Sequence, residues 1–322
     1  MTEGRSCPLA YRYQPDTLCQ DPVWVNDDVI YVIGGLYGNP LALDEIERMA
    51  LAEEQAGHRV RLVFNGDFNW FNASDELFRA INNRVLDHTV ILGNVDYELA
   101  MPNSGAGCGC AYPEFVDQRV VERSNGIIQR LRGIAEQHLD LCKRLSVLPR
   151  YRCLFFGGLK ILVLHGDPES LAGWGLSHEA FAGQYLEDHR QQLKHWFEAT
   201  GADVMVCTHT CLPVLWRGDV DGIPRAVANN GSAGMGNLAG DTRGLITRIA
   251  LSSPVMAPVA GIQSAGLNIA LMPVAFDGPK WLQTFDQLWP EGSDAAVSYR
   301  RRLASGTGLR PEGIVFDEPL PT

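Results

Sequence analysis

The sequence predicts an α/β fold, on three observations. Five short apolar runs, DVIYVI at 28–33, VRLVF at 60–64, TVIL at 89–92, KILVL at 160–164 and DVMVC at 203–207, are rich in Val, Ile and Leu and bounded by Gly, Asp or Asn. Strands covered on both faces of a sheet have this composition. Amphipathic helical patterns lie between several of the runs. Polar residues follow the strand ends in VIGGLYGN, VFNGDFNW, ILGNVDYE, VLHGDP and VCTHTC, at the carboxyl edge where open α/β sheets bind ligands.

Taken in order, residues 40–56 carry Leu43, Ile46, Met49 and Ala50 at helical spacing behind Pro40, which suits a first turn. Ser74 and Asp75 cap a second helix over 74–87 through Leu77, Phe78 and Ile81. A polar helical stretch at about 114–146 interrupts the strands, and a further helix is expected from Ser177 to Ala199. After residue 220, PRAVA, GLITRIAL and LNIALMPVAF read as strands of a second sheet region, with SSPVMAPVAGIQSAG at 252–266 as a loop. One domain over 1–322 is the simplest organisation, with a helical insertion at about 111–150 and a C-terminal extension at about 276–322. Trp281, Leu282 and Trp289 suggest that this extension docks through aromatic side chains, on its own chain or on a partner.

Charge and composition exclude several functions. A formal net charge of −11 opposes generic nucleic-acid binding, which rewards clustered Lys and Arg. The N-terminal MTEGRSCPLAYRYQPD has no apolar signal-peptide core, and no apolar stretch approaches the roughly 20 residues of a membrane span. The eight scattered cysteines are expected to stay reduced in a cytoplasmic protein. Oligomeric state is not encoded in any pattern found here.

Chemistry concentrates at the strand ends. Asp67 and Asn94 offer oxygen ligands and His165 and His209 offer imidazoles, a mixed set suited to Mn, Fe, Co or Zn. Singly, each is as well explained as a turn residue or a satisfied polar group. Together, and followed by VANNGSAG at 227–234, they form an ordered series: Gly35-Leu-Tyr37-Gly38-Asn39, Gly66-Asp67, Gly93-Asn94-Val95-Asp96, His165-Gly166, Thr208-His209-Thr210-Cys211 and Asn230-Gly231-Ser232. The series resembles that of the calcineurin-like metallophosphoesterases over residues 28–250, whose motifs are D-x-H-G-N, G-D, G-N-H-D or G-N-C-D, H-G, G-H-T-H and often N-P-G-S. The resemblance implies a four-layer α/β/β/α sandwich of two mixed sheets with metal ions at the strand ends.

Departures from the pattern fall on one of the family's two metal sites. Its ligand positions are Gly35, Tyr37 and Cys211 here, whereas the other site keeps Asn94, His165 and His209, with Asp67 at the bridging position. The resemblance therefore implies one complete site, holding one firmly bound divalent ion, beside a dismantled or rebuilt one. Tyr37 reads as an aromatic filling the lost ligand's volume. Cys211 is either inert packing or a thiolate ligand. Cys108 and Cys110, in the glycine-rich stretch 103–112, form a surface loop that can lie over the site. Val95 stands where the family often has a His that meets phosphate, leaving Asp96 or water as the proton donor, with Asn39 and Ser232 near the substrate.

Three functions follow. The first is a phosphoesterase acting on a small phosphodiester or nucleotide-type ester. The second is a binding or scaffold protein that kept the fold and lost the catalysis. The third is a protein in which Tyr37 and Cys211 rebuild an iron site. His58, His88, His138, His178, His189 and His195 are expected on surface helices or turns.

Overall fold

The computed structural model describes residues 3–103, 105–183 and 186–317. The chain begins with β1 (Val23–Trp24), β2 (Val29–Ile33), α1 (Pro40–Gln55), β3 (Val60–Phe64), α2 (Asp75–Val85), β4 (Thr89–Val90) and α3 (Asn94–Ala100). It continues with α4 (Gln118–Ala135), α5 (Leu139–Ser146), β5 (Arg152–Phe156), β6 (Leu159–Val163), α6 (His178–Ala182), α7 (Leu186–Thr200) and β7 (Val204–Cys207). The last third holds β8 (Pro213–Val220), β9 (Ile223–Asn230), β10 (Gly244–Ala250), β11 (Ala260–Ser264), β12 (Leu267–Val274), α8 (Gly278–Leu288), α9 (Asp294–Ser305) and β13 (Val315–Asp317).

Two mixed sheets result, ordered β11-β12-β10-β2-β3-β4 and β1-β5-β6-β7-β9-β8-β13. Strands β2, β3 and β4 run parallel in the first sheet, and β6, β7 and β9 run parallel in the second. The facing surfaces bury Ile30, Val32 and Val63 against Ile161, Val163 and Val206. Helix α1 covers the outer face of the first sheet through Leu43, Ile46 and Met49, and α7 covers the second through Leu193, Trp196 and Phe197. This is the expected α/β/β/α sandwich. Each large apolar side chain so buried contributes roughly 1.5–3 kcal/mol.

Several elements differ from the sequence expectation, for local reasons. The run TVIL gives only Thr89–Val90 as strand, because Ile91 and Leu92 already lead into the Gly93 turn and α3. The polar stretch at 114–146 breaks into α4 and α5 at Glu136, and Ser177 starts a short α6 that ends at Gly183 before α7. The segment 252–266 is not all loop: Ala260–Ser264 pairs with β12 through the two-residue turn Ala265-Gly266, both at positive φ. His138 is buried, facing Asp75 at 3.0 Å and Arg79 at 2.8 Å, rather than on the surface. Trp281 and Trp289 are buried on their own chain, and the Trp289 indole donates to the Phe71 carbonyl. Among the described residues no helix is long and apolar enough to cross a membrane.

Candidate metal centre

The carboxyl ends of the central parallel strands of both sheets open onto one place. Asp67 follows β3, Asn94 begins α3 after β4, His165 follows β6 and His209 follows β7. A carboxylate oxygen of Asp67 and ring nitrogens of His165 and His209 lie within 4.8 Å of one another, all buried. Asn94 joins them, its Oδ1 3.0 Å from His165 Nε2. The structure therefore brings together all four residues singled out as ligands in the sequence.

Backbone carbonyls orient both rings. His165 Nδ1 donates to the Asn65 carbonyl at 2.8 Å, and His209 Nε2 donates to the Cys110 carbonyl at 3.1 Å. Each ring's remaining nitrogen is thereby left as an acceptor. Those nitrogens, His165 Nε2 and His209 Nδ1, face each other at 3.1 Å, with Asp67 Oδ2 3.4 Å from the former. Four acceptors converge, and only a cation or an added proton reconciles them.

Charge follows from this crowding. Burial opposes protonation of His165, yet the charge and hydrogen bond of Asp67 outweigh it and raise the His165 pKa. For His209, burial and the positive charge of His165 act together and push it down to about 3. Burial also opposes ionisation of Asp67, but His165 holds its carboxyl below the usual value. Burial and the Asp67 charge push Asp96 up to about 7.

Asp67 sits at φ 54, a left-handed conformation that costs a residue with a Cβ on the order of 1 kcal/mol. Its own hydrogen bonds hold it there. The amide of Asp67 donates to Asp96 Oδ2 at 2.7 Å, and Asp67 Oδ1 accepts from the Val95 amide at 3.1 Å. Asp96 is thus spent on backbone amides and on Asn69, and it is fully buried rather than directed at the cleft. Asn39 caps α1 through the amides of Leu41 and Ala42, and Ser232 donates to the Gly35 carbonyl. Neither lines the cleft beside the ligands. Ser232 spends its one hydroxyl proton on that carbonyl, and the Asn39 amide nitrogen donates to the Gly234 carbonyl.

The sulfurs of Cys108 and Cys110 face each other and both side chains are buried, which corrects the expectation of a surface loop. Glycines 105, 107 and 109, all at positive φ, wrap this loop onto the site. Its carbonyls then work as anchors: that of Cys108 accepts from Asn94 Nδ2 at 2.9 Å, and that of Cys110 accepts from His209 and from the Trp174 indole at 3.0 Å. Side chains of Trp70, Tyr112, Trp174 and Tyr299 enclose a cleft of about 150 Å³ over Asp67, Asn94 and His209. Sequence reasoning missed Trp70, Trp174, Tyr299 and Asn65, and had Tyr112 only as the end of the stretch 103–112. The weak signals were an Asn directly before Gly66-Asp67 and a Trp between glycines after His165-Gly166.

No protein-family model matches the sequence, and no curated protein matches it. Among solved structures, the chain is similar to a hypothetical protein from Pyrococcus horikoshii OT3, with a TM-score of 0.56, 16% identity and coverage of 87% of this chain and 99% of that one. It is also similar to a metallophosphoesterase from Sphaerobacter thermophilus, with a TM-score of 0.52, 17% identity and coverage of 88% of this chain and 100% of that one. The fold is that of the metallophosphoesterases.

Within this metallophosphoesterase fold, two of the three departing positions, Tyr37 and Cys211, line the cleft, and Gly35 packs against the Tyr37 ring. Gly35 has φ 61, and a Cβ there would meet the Tyr37 ring at 3.2 Å and Ser232 Cα at 3.3 Å. Tyr37 and Cys211 take left-handed conformations at φ 54 and 63, and their hydroxyl and thiol meet at 2.6 Å. Burial raises both pKa values, that of Cys211 up to about 11, so the pair is a neutral phenol and a neutral thiol. The two residues are brought to each other, and Cys211 stands outside the Asp67, His165 and His209 group.

Proposed function

We propose that this protein is a metal-dependent phosphoesterase that holds one divalent ion with Asp67, Asn94, His165 and His209 and acts on a phosphodiester or nucleotide-type phosphate ester. The observation that carries this reading is the facing pair of ring nitrogens, each turned inward by a carbonyl bonded to its opposite nitrogen. Two imidazole nitrogens, a carboxylate and an amide oxygen suit Mn, Fe, Co or Zn. Such an ion polarises a phosphoryl oxygen and lowers the pKa of a coordinated water. Asp67 keeps its carboxylate ionised for that role, His209 stays neutral, and the aromatic rim limits access of bulk water.

The decisive assay is turnover of bis(p-nitrophenyl) phosphate, p-nitrophenyl phosphate and a nucleotide panel by protein loaded with Mn, Ni, Co or Zn. Hydrolysis that is lost on chelation is expected. Absence of turnover with every metal overturns the reading. A binding protein without catalysis is then favoured by the tight Gly35, Tyr37 and Cys211 packing. The iron site has weaker support, since Tyr37 and Cys211 already satisfy each other.

Metal affinity is expected to rise with pH through the neutral range. His165 has a raised pKa, so a proton competes with the ion for Nε2 and is displaced as pH increases. Asp96, at about 7, also ionises more readily once a cation offsets the Asp67 charge. His209, at about 3, does not compete. Competition with a chromophoric chelator at pH 6, 7 and 8 measures the trend, and an affinity that falls across this series contradicts it.

A further inference from the structure

The side of the cleft that lacks metal ligands is not an inert plug. It gathers polar side chains from three separate elements around the space in front of Asp67 and His209: Trp70 from the loop after β3, Tyr112 from the loop after α3, and Tyr299 from α9. The Tyr299 hydroxyl lies against that of Tyr112 and the indole N–H of Trp70, and Tyr112 also meets Ser124 at 2.9 Å. Trp70 and Tyr299 hold each other edge to face, with ring centres 6.3 Å apart. Among the described residues no Lys or Arg lines this cleft. The nearby guanidinium of Arg302 is committed to the carbonyls of Gly236 and Cys211.

We infer that Trp70, Tyr112 and Tyr299 form an uncharged hydrogen-bonding cradle for a non-bridging phosphoryl oxygen. The inference rests on the phosphoesterase reading of the same site. Oriented neutral donors in a water-poor cleft stabilise an oxyanion without adding charge. One divalent ion and the Asp67 carboxylate leave a single net positive charge, and ionisation of the adjacent Asp96 reduces it further, so the site matches a phosphodiester monoanion better than a phosphomonoester dianion. Substrate selectivity is then set by the charge of the phosphate group as well as by the shape of the leaving group. The donor from α9 makes the C-terminal helix part of the substrate site.

Calorimetry on the metal-loaded protein tests this with dimethyl phosphate and inorganic phosphate as probes, alongside hydrolysis of the two nitrophenyl esters. Wild type is expected to bind dimethyl phosphate more tightly than inorganic phosphate at pH 8. Tyr299→Phe and Tyr112→Phe, which keep the rings, are expected to weaken dimethyl phosphate binding about tenfold or more, with metal content by elemental analysis unchanged. Trp70→Phe serves as a third variant should either tyrosine change unsettle the fold. Unchanged binding in the variants, or a preference for the dianion in wild type, overturns the cradle while leaving the phosphoesterase reading intact. A wild-type protein that binds neither probe and hydrolyses neither ester overturns both.

Discussion

His209→Ala is expected to abolish stoichiometric metal binding, lowering affinity by more than the 10–100-fold typical of removing a partner that only orients a ligand. The variant removes one of the two facing nitrogens, so the remaining acceptors no longer enclose an ion. Elemental analysis after dialysis against Mn or Zn reads the result directly. Retention of metal by this variant would contradict the ligand set. A second signature comes from pH. In the metal-free wild type His209 has a folded pKa near 3 against 6.5 when exposed, so the unfolded chain takes up the proton first as pH falls through that interval. Its contribution to stability is therefore present above 6.5 and lost progressively towards 3. Without His209, the decline from pH 6.5 to 4 should be shallower, by up to roughly 1.4 kcal/mol per pH unit. Denaturant unfolding at several pH values measures the difference.

Gly93→Ala should damage the site without touching a ligand. Gly93 has an ordinary negative φ of −96, so the backbone tolerates a side chain there. Space does not: a Cβ would overlap the Asp67 carboxylate, lie 2.5 Å from the Asp67 amide and reach within 2.9 Å of His165 Cε1. Relief requires moving Asp67, whose left-handed conformation depends on bonds to Val95 and Asp96 from the same turn. We expect a stability loss of about 1–3 kcal/mol from overpacking, together with at least a tenfold loss of metal affinity. Gly133→Ala is the matched control. Nothing lies within 4 Å of a Cβ at Gly133 in the last turn of α4, where alanine is the better helix former and is expected to stabilise by roughly 0.5–1 kcal/mol. Unfolding curves and metal titrations that fail to separate the two variants would rule out the steric account.

Backbone strain and site coincide in this protein. Tyr37, Asp67 and Cys211 all have positive φ, and all line the one cleft over the candidate ligands. Such conformations persist only where the surroundings hold them, which is why they gather where side chains must be aimed at one point. The sequence carried a weak sign of this at Asp67, since aspartate enters that region more often than most residues with a Cβ, and none at Tyr37 or Cys211.

What the sequence by itself determined was the layering and the order of the polar strand ends. Val-rich runs such as VRLVF and DVMVC can only be satisfied inside a covered sheet, and each ends at a turn bearing a side chain that the fold has no structural need to expose. Two further strands, β5 and β8, went unread although their turns were legible: Gly157-Gly158 and Asp221-Gly222 are two-residue hairpin turns at positive φ, and they join β5 to β6 and β8 to β9. The Ala265-Gly266 turn was not, since alanine seldom marks one. Tertiary structure alone decided that His165 Nε2 and His209 Nδ1 face each other, because the proton on each ring goes to a carbonyl 100 and 99 residues away in the chain. It likewise decided that Asn39, Asp96 and Ser232 bond to backbone, and that a tyrosine from the last helix joins the cleft. Spacing along a chain encodes which edge of a sheet a residue occupies, whereas the direction of a lone pair depends on partners that only folding brings near.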